Sequence, residues 1–353
     1  MNTVRIANAL KKLGVDVHIA VSRPDGSYTE LLESSIKIHN LTDGLQMSST
    51  LTLLQSILPL ARLVRKIRPN VVCPVMISSG YVVGAGSILF PRRTKIYLSV
   101  QNTLRPPLQP RLQKIIVGVL NHFLFRGFDQ FVALSRGVAQ DLVDLLPFAA
   151  GRTTIINNAG VEGMVAKRPP LRTTKQSLTS ITFITCGRLT QQKGYPVLLE
   201  AFAAVCRQCE ARLVILGDGP LRAQLLELTE RLGIQDRVEF AGFVRDPLNW
   251  FSKADVFVLA SLWEGFANVI VEAMSTGLPV VSTDCPHGPG EIIANGVNGL
   301  LVEPADVAGL AKAMMAMAKN PSLREALGEK GFERSNDFTS EAIAESWLAI
   351  LRR

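Results

Sequence analysis

The sequence predicts a two-part α/β protein, each part a doubly wound parallel sheet. Three observations predict it. Short apolar runs alternate with helical patterns along the chain, the order that a parallel sheet with crossover helices requires. The apolar fraction is 47% against 19% charged, which suits buried cores and not a disordered chain. The 353 residues exceed one ordinary domain, so two are expected.

The C-terminal half shows the alternation most cleanly. Residues 181–186, 212–216, 238–241, 255–260, 279–283 and 299–302 read as buried strands. Residues 196–207, 221–232, 307–318 and 322–333 read as helices. In the N-terminal half, 15–21, 71–75, 95–100, 130–134 and 154–156 read as strands, and 50–67 and 111–125 as long helices. A polar segment at 162–180 containing KRPPLRTTKQS is the best linker. The expected division is an N-terminal Rossmann-like domain over 1–172, a second over 173–335, and a terminal helix within 336–353 that crosses back to the first. A Rossmann-like half should open on a strand and a glycine-rich turn. Here residues 2–13 already read as its first helix, so the expectation is a domain that lacks its first strand.

Charge is divided unevenly. Residues 1–172 carry 21 Lys+Arg and 9 Asp+Glu, residues 173–353 carry 17 and 21, and the balances of +12 and −4 give the net +8. A basic half can meet anionic lipid, nucleic acid or a phosphorylated substrate, or can be only a solvated face. Aromatics make up 6% and basic residues are scattered, which argues against nucleic acid. No apolar run reaches the ~18 residues that a membrane span needs, and the start lacks the apolar core of a signal peptide. The five cysteines, Cys73, Cys186, Cys206, Cys209 and Cys285, have no framework spacing. A reducing, cytoplasmic setting is therefore expected. Cys206 and Cys209 form a lone CxxC inside the expected helix; a zinc site would need a second pair.

Three segments of the C-terminal half carry chemistry. CGRLTQQKG (186–194) joins a strand to a helix, with Gly187 allowing close backbone approach and Arg188 and Lys193 as cations suited to a diphosphate. SLWEGFANVIVEAMSTGLPVV (261–281) places Glu264 in the turn after a strand and Glu272 in the early turns of the next helix. Carboxylates accept pairs of hydroxyls, and the free N–H groups that open that helix attract phosphate. TDCPHGPGEII (283–293) forms a tight loop in which His287 shapes the loop or contacts an acceptor. GDGPLR (217–222) is a further turn that reverses the chain.

These segments, with EFAGFV and NGVNGLLV, resemble the family 4, or group 1, retaining glycosyltransferases of the GT-B fold, over about residues 181–320. The N-terminal half resembles them more weakly, through ANALKKLGVDVHI, SVQNT, QFVALSRGVAQDL and IINNAGV. The DCPHGP loop is similar to bacterial members that build polysaccharides and lipid-linked oligosaccharides. The resemblance implies two Rossmann-like domains facing across a cleft, the second binding a nucleotide diphosphate sugar, a UDP-sugar by expectation. It implies that Arg188 and Lys193 neutralise the diphosphate, that Glu272 holds the ribose hydroxyls, and that Glu264 contacts the transferred sugar. Gly187 and Gly265 border those residues. The amides of Phe266, Ala267, Asn268 and Val269 lie nearby, and Gly242, Phe243 and Val244 face the base. Gln101 and Asn102, with His287, fall on the acceptor side. Gln101 stands where many relatives carry histidine, and Gly290 where they carry a loop arginine.

The implied activity is transfer with retention and without metal or other cofactor, which agrees with the lack of any Asp-x-Asp in the chain. The acceptor would be a glycan or lipid-linked glycan met by the N-terminal domain. The basic excess and an amphipathic helix at 111–128 suggest docking on an anionic membrane. That helix has Ile115, Ile116, Val119, Leu120, Phe123 and Leu124 between Arg111, Lys114 and Arg126. The alternative is that its apolar face packs on the domain's own sheet. Beside the transferase stand two other readings: a non-catalytic nucleotide-sugar-binding protein, because the first strand is lacking, and a GT-B epimerase.

Overall fold

The computed structural model describes residues 2–22, 29–42, 49–102, 111–163 and 180–352, with only the backbone for 49–51 and 111–117. It divides into two compact units, Met1–Glu162 with Ser340–Arg353, and Gly163–Thr339.

The first unit begins with α1 (Asn2–Lys12), β1 (His18–Val21) and β2 (Lys37–Asn40). Next come α2 (Ser49–Gln55), α3 (Ile57–Ile67), β3 (Val71–Val72), α4 (Ile77–Gly86) and β4 (Lys95–Val100). It continues with α5 (Arg111–Phe125), β5 (Gln130–Ala133), α6 (Arg136–Leu145) and β6 (Thr153–Ile155). The strands form two parallel sheets, β1-β2 and β3-β4-β5-β6. The helix expected over 50–67 is two helices. Ser56 breaks it: fully buried, it donates to the Thr52 carbonyl at 2.8 Å and bonds the Ser22 hydroxyl at 2.8 Å. Pro59 falls in the first turn of α3, where a missing N–H costs no helical bond.

The second unit runs β7 (Ile181–Cys186), α7 (Tyr195–Cys206), β8 (Ala211–Leu216), α8 (Arg222–Arg231), β9 (Val238–Gly242) and α9 (Leu248–Phe251). It goes on through β10 (Val256–Leu259), α10 (Asn268–Ser275), β11 (Val280–Thr283), α11 (Pro289–Ile292), β12 (Leu300–Val302), α12 (Val307–Lys319) and α13 (Pro321–Ser335). Its six strands are parallel in the order β12-β11-β10-β7-β8-β9. The order reverses between β7 and β10, and ligands of open α/β sheets bind beyond the carboxyl ends of the strands at such a point. The core is apolar on both faces, with Phe183 and Phe202 edge to face at 6.2 Å. Helix α7 ends at Cys206, so Cys209 lies beyond the helix and not within it.

The last helix, α14 (Ser340–Leu351), belongs to the first unit. There Trp347, Ile343 and Ile350 pack with Ala9 and Leu10 of α1 against Tyr97 and Val132. The opposite face of the same strands, Ile96, Leu98, Phe131 and Ala133, packs on Leu60 and Val64 of α3, Val82 and Val83 of α4, and Phe125 of α5. The alternation of neighbours along β4 and β5 thus sets α1 and α14 on one side and α3, α4 and α5 on the other. The boundary before α14 falls at Thr339, a few residues after the expected 335. Phe338 holds residues 336–338 to the second unit: it is buried, lies 5.3 Å edge-on from Phe266 and sits under the Arg334 guanidinium at 4.7 Å. The first boundary falls at 162/163 where 172/173 was expected, and residues 164–179 of the expected linker lie outside the described ones.

Candidate active site

The turns that follow β7, β8, β9 and β10 meet at the carboxyl edge of the second unit's sheet. Backbone bonds tie them together: Gly187 N–H donates to Leu216 at 2.9 Å, Gly217 N–H to Gly242 at 2.7 Å, and Leu189 N–H to Asp218 at 3.0 Å. Gly217 has φ +141°, and a Cβ there would lie 2.0 Å from the Gly187 carbonyl oxygen. Only glycine lets the two turns approach this closely. Gly194 opens α7 at φ +60° with its Cβ position 2.0 Å from the Ala260 oxygen. The turn after β7 is therefore pressed against the end of β10.

This contact brings two of the expected residues together. The Lys193 ammonium lies 2.5 Å from Oε1 of Glu264, and the Ser261 hydroxyl donates to the same oxygen at 2.6 Å. Glu264 is only 5% exposed, so its charge is held by partners and not by water. Gln192 fixes the register, donating from Nε2 to the Trp263 carbonyl at 2.9 Å and accepting at its own carbonyl from Leu262 N–H at 2.8 Å. Arg188 is exposed on the same turn.

Glu272 lies in the second turn of α10, half-buried. Its charge reaches Cys186: burial, with Glu272 adding to it and Lys193 opposing, pushes that thiol up to about 12. Burial likewise pushes Cys285 up to about 12, with Glu264 adding and Thr283 and Lys193 opposing. Tyr195 is pushed up by burial first, then by Cys186 and Glu264, and its hydroxyl donates to the Gly187 carbonyl at 2.7 Å. One cluster thus contains Lys193, Glu264 and Glu272, with protonated Cys186, Cys285 and Tyr195 around them.

The EGFAN turn between Glu264 and α10 is held from the other side by the DCPHGP loop. Glu264 N–H donates to Pro286 at 3.2 Å, and a Cβ on Gly288 would meet the Phe266 backbone at 2.7 Å. Ala267 adopts φ 63° immediately before α10, and His287 φ 67° in the loop; left-handed backbone outside glycine stores strain of order 1 kcal/mol or more. Phe266 is buried and Gly265 with it, while Asn268 and Val269 begin the helix, where the first N–H groups have no helical acceptor. Gly242 ends β9, and Phe243 and Val244 follow it, with Phe243 exposed. Gly290 lies in the first turn of α11 beside Asp284, whose Oδ1 lies 2.6 Å from where a Cβ would stand. Gln101 and Asn102 belong to the first unit, after β4, where Gln101 Nε2 donates to the Ser99 hydroxyl at 2.7 Å.

Ser261, Gln192 and Tyr195 were not singled out in the sequence. Ser261 alone carried a signal, a small hydroxyl at a strand end three residues before the turn glutamate.

Comparison with known proteins identifies relatives over both units. A family model described as Glycosyltransferase Family 4 matches residues 3–159, and one described as Glycosyl transferases group 1 matches residues 180–320. A lipopolysaccharide core biosynthesis glycosyltransferase, LpsE of Rhizobium meliloti, is 35% identical over 64% of this chain and 65% of its own. An uncharacterized glycosyltransferase of Methanocaldococcus jannaschii is 34% identical over 49% of this chain and 50% of its own. The matched region thus spans about half to two thirds of these relatives' length. The Campylobacter jejuni 4-alpha-N-acetylgalactosaminyltransferase that acts on a diphospho-undecaprenol substrate is 27% identical over 74% of this chain and 71% of its own.

Among solved structures, sucrose-phosphate synthase of Thermosynechococcus elongatus superposes with a TM-score of 0.83 at 21% identity, covering 99% of this chain and 91% of that one. Anabaena Alr3699/HepE, solved with UDP-glucose, gives 0.82 at 20% identity over 99% and 95%. The fold is GT-B, built of two Rossmann-like domains. With one family model over each unit, the chain belongs to the family 4, group 1 glycosyltransferases.

Proposed function

We propose that the protein transfers a sugar from a nucleotide diphosphate sugar, a UDP-sugar, to a glycan or lipid-linked acceptor in polysaccharide or cell-envelope synthesis, with retention and without a metal. The observation that carries this is the Lys193–Glu264–Ser261 chain at the point where the strand order reverses. Lys193 and Ser261 both occupy Oε1 of Glu264, which leaves Oε2 to accept from a hydroxyl of the transferred sugar. The remaining N–H bonds of Lys193, the Arg188 guanidinium and the opening amides of α10 take the diphosphate. Glu272 takes the ribose hydroxyls, and the backbone at Gly242–Val244 the base.

In the reaction the bond from the anomeric carbon to the diphosphate oxygen breaks while the acceptor oxygen attacks from the same face. The acceptor's proton passes to the departing diphosphate. The protein's part is positioning and stabilisation of the leaving charge, which Lys193, fixed by Glu264, and Arg188 supply. Acceptor contact is proposed for Gln101 and Asn102 in the first unit, and separately for His287 in the second. A lipid-linked acceptor is met at a membrane, so the protein works as a peripheral protein on the inner face of the cell membrane.

Replacing both cations tests this reading. Arg188→Ala with Lys193→Ala should weaken UDP binding in calorimetry and lower the transfer rate by about a thousandfold or more. Transfer at the wild-type rate would overturn the assignment. Full activity in chelator is expected, and loss of activity restored by a divalent ion would overturn the metal-free reading. UDP binding with no transfer to any acceptor would instead favour a non-catalytic nucleotide-sugar-binding protein.

A further inference from the structure

Residues 44–128 contain eleven Lys and Arg and not one Asp or Glu. This stretch builds α2, α3, β3, α4, β4 and α5 of the first unit. Its helices lie on one side of the four-stranded sheet, away from α1 and α14. Glycines draw them close. A Cβ at Gly84 of α4 would stand 2.9 Å from the Leu124 carbonyl of α5, and one at Gly86 would stand 3.6 Å from the Ile57 carbonyl of α3.

Large apolar side chains beside these crossings point to solvent. Ile88, two residues past Gly86, is 89% exposed, and Phe123, before Leu124, is 77% exposed. Leu58, after Ile57, is exposed as well, as are Leu54, Val119 and Leu120. Helix α5 therefore packs on the sheet with only part of its apolar residues. Phe125 enters the core while Val119, Leu120 and Phe123 stay outside; the side chains of Ile115 and Ile116 lie outside the described residues.

The cations share the same faces. On α3, Leu58, Arg62 and Arg65 follow at helical spacing, as do Val119, Phe123 and Arg126 at the end of α5. Arg65 Nε donates to the Leu89 carbonyl at 2.8 Å, which ties α3 to the turn that carries Ile88. Arg62, Arg65, Lys66, Arg92, Arg93 and Arg126 are all exposed. Among the described residues none of them forms an ion pair.

We infer that this face, carried by α3, the turn at Ile88 and α5, is the surface by which the protein docks on an anionic lipid bilayer. Phe123, Ile88 and Leu58 insert among the acyl chains, and the arginines and lysines meet the headgroups. The inference rests on the peripheral-membrane part of the proposed function and assigns it a surface. A solvated basic face has no need of exposed phenylalanine and isoleucine. A face for apolar protein partners has no need of a surrounding chain segment that carries cations and no carboxylate. A bilayer with anionic headgroups calls for both features.

Co-sedimentation of the full chain with vesicles tests it, using phosphatidylglycerol in phosphatidylcholine against phosphatidylcholine alone. Binding should require the anionic lipid and fall with salt. Phe123→Glu with Ile88→Glu should reduce partitioning by at least tenfold. Arg62→Ser with Arg92→Ser should reduce it by about five-fold per cation removed. These side chains are exposed, so melting temperature and UDP binding should stay as in the parent. Unchanged partitioning of both variants would overturn the inference, as would equal binding to neutral vesicles. Tight RNA binding that the Phe123→Glu variant retains, with no vesicle binding, would assign the face to nucleic acid and also overturn it. The Arg188→Ala, Lys193→Ala variant should still bind vesicles, so failure of the donor site and failure of the docking face give different results.

Discussion

In the second unit, the lysine at the candidate site meets a buried carboxylate that a serine also serves; in the first unit, among the described residues, the arginines and lysines of the α3–α5 face form no ion pair. The difference separates two uses of positive charge. A cation fixed by a buried partner is pre-organised, so it can stabilise charge at one point without reorganising. A cation on a flexible stem at an exposed face acts through summed attraction over a surface, with little geometric demand. Substitutions should therefore behave differently in the two places.

The largest stability effect is expected at the paired charge. Lys193→Met leaves Glu264 buried with its charge opposed only by the Ser261 hydroxyl. It should cost about 3 kcal/mol of stability by denaturant unfolding. A loss below 1 kcal/mol would show that the pair is not held as described.

The next effect is alkaline and belongs to the same cluster. Cys285 is raised from 9.0 to about 12, chiefly by burial. As pH rises past 9 the unfolded chain loses its thiol proton first. This contribution to stability is full below pH 9 and lost as pH climbs toward 12. The slope is about 1.4 kcal/mol per pH unit for each such thiol. Cys285→Ala should remove one thiol's share of that slope between pH 9 and 11; identical slopes would contradict the burial of Cys285.

The smallest effect belongs to the unpaired face. Arg92→Ser alone should change stability by less than about 0.5 kcal/mol. A loss above 1 kcal/mol would mean that Arg92 is structurally engaged and would blur the contrast.

The alternation of apolar runs was legible because a strand buried on both faces must be apolar throughout. Residues 181–186 and 95–100 emerge as β7 and β4 for that reason. Helix α4 escaped notice since it is buried almost all round, and ISSGYVVGAG shows little one-sided periodicity. Strand β2, KIHN, is short and mostly exposed, so it carries no apolar signature. The break at Ser56 also escaped, because a buried serine bonded to another element looks in sequence like an ordinary helical residue.

The sequence by itself determined the two-unit α/β organisation and the segments that carry Arg188, Lys193, Glu264 and Glu272, since local patterns of apolarity, glycine and charge are written in consecutive residues. Only the tertiary structure decided that Lys193 shares one oxygen of Glu264 with Ser261, residues 71 and 68 positions distant from Lys193 in the chain. It alone decided that Ile88, in the turn after α4, and Phe123, on α5, are both exposed to solvent. Such contacts depend on strand order and helix packing, which a linear pattern does not encode.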